Sequence, residues 1–145
     1  MKTLFTSLLL LLFTFSTTAQ ENRSERIKAL KTAFIIQELD LSQSESEKFW
    51  PVYNKYENEI RSLKKQERTE VKKSLKEDLE NLSDAQAKEI LNKIKNFKNL
   101  ESELQNQKDE ELLKILSAKK VLRLKKAEHD FQMQLLKKYR GGEKK

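Results

Sequence analysis

The chain has 145 residues, of which 37% are charged, with a formal net charge of +7, no cysteine, two glycines and one proline. Against a usual charged share of ~25%, this composition leaves too few apolar side chains for a thick globular core. The lack of cysteine excludes a disulfide framework, a lipid-modified cysteine anchor and a thiol nucleophile.

The N-terminus has the three-part grammar of a secretory leader. Lys2 is followed by the apolar run Leu4 to Phe15 and then by the small polar stretch Ser16-Thr17-Thr18-Ala19-Gln20. Ala19 and Thr17 put small side chains one and three positions before a cut between Ala19 and Gln20. The 12 residues from Leu4 to Phe15 fall short of the roughly 20 that cross a bilayer as a helix, which argues against a membrane anchor. The expected layout is a signal peptide over 1–19, one helical domain over 20–140, and a disordered basic tail over 141–145. The mature product is then soluble and located in the periplasm, with 29 Lys and Arg against 23 Asp and Glu once Lys2 is removed.

Between Gln20 and Arg140 there is no glycine and only Pro51, so the chain reads as helices joined by short turns. No run alternates apolar and polar residues with the period of a half-buried strand. Helix starts are marked by a cap oxygen and, three residues on, a Gln or Glu that accepts from the cap N–H. Two sites carry both parts, each after a leucine: Leu41-Ser42-Gln43-Ser44-Glu45 and Leu82-Ser83-Asp84-Ala85-Gln86. A third, Leu116-Ser117, has the cap serine but Lys120 where the acceptor belongs.

These marks predict four helices. The first, 24–39, carries a stripe of Ile27, Leu30 and Phe34, with Ile35 and Ile36 beside it. The second, 43–79, carries Phe49, Tyr53, Tyr56, Ile60 and Leu63, then Val71, Leu75 and Leu79. Pro51 within it costs one backbone hydrogen bond and predicts a kink near Glu47 to Trp50. The third, 84–115, carries Ala87, Ile90, Leu91, Ile94, Phe97, Leu104, Leu112 and Ile115. The fourth, 118–139, carries Val121, Leu124, Phe131, Leu135 and Tyr139, with Gly141 as a left-handed stop. Such stripes mark core seams. Lys64 to Glu70 and Gln105 to Glu111 contain no apolar residue, yet lack Gly and Pro and are rich in helix formers, so both read as continuous exposed helix. The 37 residues of the second helix would span roughly 55 Å, which predicts an elongated molecule whose thin seam is completed by a second copy of the chain.

At its two leucine-serine boxes the sequence resembles the Spy/CpxP family of periplasmic stress proteins, whose hallmark is a doubled Leu-Thr-x-x-Gln motif. Leu82 to Gln86 matches with serine for threonine, and Leu41 to Glu45 departs further, with glutamate for glutamine. Phe49-Trp50-Pro51-Val52-Tyr53 resembles a subset labelled sensors of extracytoplasmic-function sigma factors. The resemblance covers the whole mature chain. It implies a long bent helical hairpin, dimerised into a cradle whose concave face mixes basic and apolar groups. It also implies one of two activities: holding unfolded envelope proteins without ATP, or acting as an adaptor that docks a membrane stress sensor or anti-sigma factor.

The residue inventory points away from catalysis. There is one histidine, His129, no cysteine, and glycine only at Gly141 and Gly142, so neither a nucleophilic triad nor a phosphate loop can be assembled, and no cofactor is expected. His129 and Met133 lie four apart on one face of the last helix, as in the metal-responsive relatives that use a His-x-x-x-Met pair. Those sites need further histidines that this chain lacks, and an imidazole with a thioether is a poor site by itself. Candidate contacts to a partner are Trp50, which points off the aromatic stripe, and the basic groups Arg61, Lys64, Lys65, Lys119, Lys120 and Arg123. Long-range electrostatics would draw acidic polypeptides or anionic lipid headgroups to them; export argues against nucleic acid.

Overall fold

The computed structural model describes residues 23–75 and 79–142. The leader of residues 1–19 and the tail residues 143–145 lie outside this range. Among the described residues the chain is all-helical, without strands. Helix α1 covers 23–39; α2 is Gln43–Ser74, α3 is Asp84–Leu113 and α4 is Ala118–Gly142, with a 3-10 turn, Leu79–Asn81, between α2 and α3. No described helix is long and apolar enough to cross a membrane.

The three serines start the three helices they were expected to start. The Ser42 side chain accepts from the Glu45 backbone N–H at 3.2 Å while Glu45 accepts from the Ser42 N–H at 2.8 Å. Ser83 and Gln86 reproduce this reciprocal pair at 3.2 and 2.8 Å. Each satisfies two N–H groups that a helix start would otherwise leave bare. Ser117 accepts from the Lys120 N–H at 3.3 Å. It lacks the reciprocal acceptor, but Leu116 and Val121, buried at 4% and 6% exposure, occupy the two positions of a hydrophobic staple.

The helix ends depart from expectation. α2 stops at Ser74, with Leu75 as its C-cap, rather than at Leu79. Lys72 and Lys73 in its last turn complement the negative end of the helix dipole. α3 ends at Leu113 rather than Ile115, and α4 continues through Gly141 to Gly142. No described glycine takes a positive φ, so Gly141 is not a left-handed stop. That conformation belongs to Asp40, with φ of 46°, immediately after α1. α2 is assigned as one helix through Pro51, and both stretches without apolar residues, Lys64 to Glu70 and Gln105 to Glu111, are helical as read.

Where the sequence suggests one domain over 20–140, contacts divide the chain into two compact units. One joins the residues up to Asp40 with those from Leu122 onward; the other is Leu41–Val121. In the first, α1 and α4 run antiparallel. Arg23 lies over the Tyr139 ring at 4.7 Å, Lys31 meets Glu128 at 3.4 Å, and the Phe34 and Phe131 rings are 5.9 Å apart. Its buried apolar residues are Ile35, Leu39, Leu124, Ala127 and Phe131. Leu30, read as part of the buried stripe, is 53% exposed, and Ile35 and Leu39 carry the seam instead.

In the second unit α2 and α3 form an antiparallel hairpin, with ion pairs Glu57–Lys108 at 2.9 Å, Lys64–Glu101 at 2.7 Å and Glu70–Lys93 at 3.9 Å marking successive levels. Its buried apolar residues are Phe49, Tyr53, Tyr56, Ile60, Leu112, Leu116 and Val121. The aromatic stripe read from the sequence is therefore core. A fully buried side chain of this size contributes about 1.5–3 kcal/mol.

Candidate partner-binding surface

The hairpin changes character along its length. Near its base the seam is filled, and Lys108 sits within it at 1% exposure, donating to Glu57 at 2.9 Å with its ammonium 5.2 Å from the centre of the Tyr53 ring. A buried ammonium is tolerated only with an anion and π-density around it. Lys108 also packs its four-carbon stem along the seam. The stretch Gln105 to Glu111 is thus helical as expected but not simply exposed, because its lysine replaces a hydrophobe in the core. The spacing carried a signal for this: Lys108 stands four residues after Leu104 and four before Leu112.

Beyond this level no described residue from 61 to 107 is buried. Leu63, Val71, Leu82, Ile90, Ile94, Phe97 and Leu104 are half-covered, and Leu75, Leu79, Leu91 and Leu100 are 41%, 70%, 65% and 48% exposed. Two helices alone cannot close this seam. On one side a groove of about 530 Å³ has Val71, Leu75 and Ile94 as its apolar lining, with Lys64, Arg68 and Lys72 and one carboxylate, Glu67, around it. Another, of about 440 Å³, lies near the hairpin tip between Lys73 and Lys93, with Leu82, Ile90 and the carboxylate Glu89 in its wall.

Charge on this surface is unbalanced. Lys64 is spent on Glu101, whereas Arg61, Lys65, Arg68, Lys72 and Lys73 form no ion pair among the described residues. An apolar lining beside unanswered cations suits an amphipathic segment bearing carboxylates.

Other residues singled out from the sequence have different surroundings. Trp50 is half-buried, its ring edge-on to Phe49 at 4.8 Å and to Tyr53 at 5.8 Å. One side belongs to the aromatic cluster and the rest is accessible. Lys120 is not a free surface cation. Its ammonium donates to Glu45 Oε2 at 2.6 Å, the same oxygen that accepts from the Ser42 N–H. Glu45 therefore serves the cap of α2 and the third residue of α4 together. The Lys120 hydrogen bond first, and the Ser42 N–H second, hold its carboxyl below the ordinary carboxylate range. Lys119 and Arg123 are exposed. So is His129, and Met133 is 42% exposed. Leu41 and Leu82, preceding the capping serines, are half-buried.

No group of three or more metal-ligating side chains occurs among the described residues. No family model matches this chain, and neither a curated protein nor a solved structure does.

Proposed function

We propose that this is a periplasmic protein-binding module that acts as an ATP-independent holdase or envelope-stress adaptor without enzymatic activity. The observation that carries the reading is the half-covered seam of the α2–α3 hairpin over residues 61–107, where apolar side chains stand beside cations such as Arg68 and Lys72 that form no ion pair among the described residues. A surface of this kind holds segments that expose apolar side chains, through contacts that are individually weak and exchangeable. The two serine boxes support kinship with the Spy/CpxP proteins, and with it a cradle-shaped homodimer. The apolar leader supports export.

The reading is tested by titrating the purified protein into chemically denatured, unrelated proteins as they aggregate. A holdase suppresses aggregation of several substrates, and the double variant Arg68→Glu/Ile94→Ser loses that suppression while keeping its helical circular dichroism. Suppression of none, with saturable binding to a single membrane sensor or anti-sigma factor, would replace the holdase by a dedicated regulator. In that case Trp50→Ala reports whether the accessible side of the indole contributes to docking.

A further inference from the structure

Helix α4 has a second face that its own packing leaves unused. Leu124, Ala127 and Phe131 are buried at the three- and four-residue steps of one helix side. Half a turn away, Leu122, His129, Met133, Leu136, Lys137 and Arg140 share the opposite side. There Leu122 is 71% exposed, Met133 42% and Leu136 44%, and His129, Lys137 and Arg140 are exposed.

After pairing, the charge left on this side is of one sign. Glu128 lies off the line and is engaged by Lys31, while Asp130 stands at its margin, seven residues before Lys137, and is neutralised by Lys126 of the line itself. Lys137 and Arg140 form no ion pair among the described residues.

These facts decide between occupants. A second copy would oppose cation to cation. Between Leu122 and Met133 the line also holds only Lys126 and His129, so there is no apolar residue in every turn, as a helix–helix seam requires. A lipid surface makes no such demand. Separate apolar side chains insert one at a time, while lysine and arginine stems lie along the interface and their charged ends meet phosphate. Because no described helix is long and apolar enough to span, the contact would be lateral.

We infer that α4 lies with its outer face, Leu122, Met133, Leu136, Lys137 and Arg140, against an anionic lipid surface, with the three apolar side chains set into the headgroup layer and the two cations on lipid phosphates. This face shares no residue with the hairpin groove, so the inference stands or falls independently of the holdase reading.

The test is sedimentation of the full chain with vesicles of phosphatidylcholine alone and of about two parts phosphatidylcholine to one part phosphatidylglycerol. The apolar leader contributes equally to parent and variants, so differences between them isolate α4. Each cation near an anionic surface strengthens partitioning about fivefold, so Lys137→Gln/Arg140→Gln weakens binding to phosphatidylglycerol vesicles roughly 10- to 30-fold. Binding to phosphatidylcholine alone stays unchanged. Leu136→Ser weakens binding to both vesicle types. The control Lys95→Gln/Lys98→Gln, on exposed positions of α3, retains most of the parental binding. The inference is overturned if the control falls as far as the α4 variant, if the α4 variant binds like the parent, or if Leu136→Ser instead dissolves a self-associated form seen by ultracentrifugation. Circular dichroism of each variant verifies that helix content is retained.

Discussion

The Glu57–Lys108 pair allows a prediction whose sign is not obvious, because its two ends are unequally buried. Lys108 is 1% exposed and the Glu57 side chain 22%. Removing the carboxylate takes an anion away from an ammonium that water cannot reach; removing the ammonium leaves a carboxylate that can turn toward solvent. Breaking a buried pair from its inaccessible side costs about 3–5 kcal/mol, and Glu57→Ala is expected near the lower end because the Tyr53 ring remains 5.2 Å away. Lys108→Met keeps most of the stem packing and gives up one charged hydrogen bond, for about 1 kcal/mol or less after Glu57 rehydrates. The double variant Lys108→Met/Glu57→Leu, apolar on both sides, is expected within about 1 kcal/mol of the parent or above it. Urea unfolding followed by helical circular dichroism and by Trp50 fluorescence measures all three. At about 3 kcal/mol, Glu57→Ala should also lower Tm by roughly 10–15 °C. Equal losses for the two single variants, or a double variant worse than either, would refute the unequal burial on which the reasoning rests.

Three further outcomes follow from the caps and turns. Ser42→Ala and Ser83→Ala should each cost about 1 kcal/mol in urea midpoint analysis, and Ser42→Thr should restore most of the loss at that position. Because the Glu45 carboxyl is held below its ordinary range, its contribution is fully present above the unfolded carboxylate pKa of ~4.3 and is lost as pH falls through its lower folded value. The stability difference between the parent and Glu45→Gln should therefore shrink as denaturation curves are taken from pH 5 towards pH 2, and a constant difference would contradict the Lys120 contact. At Asp40, with φ of 46°, Asp40→Val should be less stable than Asp40→Gly by about 1–2 kcal/mol in thermal unfolding, since a β-branched residue resists the left-handed region.

The helices were legible because their signals are local. Three serines, two of them with a partner three residues on, marked the starts of α2, α3 and α4. The spacing of Phe49, Tyr53, Tyr56 and Ile60 marked the face that is buried. What escaped reading depends on through-space partners. A lysine at position 108 reads as surface until Glu57 and Tyr53 are seen beside it. Asp40 looks like any acid in a polar turn, and nothing adjacent in sequence announces its left-handed backbone. The apolar period at Leu75 and Leu79 suggested a longer α2, but both side chains are exposed, and periodicity without a surface to pack against does not extend a helix. Gly141 offered a stop that the chain does not use. Of the basic groups expected on the binding surface, Lys64 and Lys120 are spent on Glu101 and Glu45, whereas Arg61 and Lys65 have no such partner among the described residues. Charge runs alone cannot make that distinction.

The seclusion of Lys108 has a practical consequence for a chain with 30 lysines and arginines. Amine-directed acylating reagents need an accessible nitrogen, and Lys108 does not offer one while the hairpin is closed. Lys108 is the buried lysine among the described residues, so delayed acylation at position 108 becomes a clock for the parting of α2 and α3, readable by peptide mass in a mixture too crowded for spectroscopy.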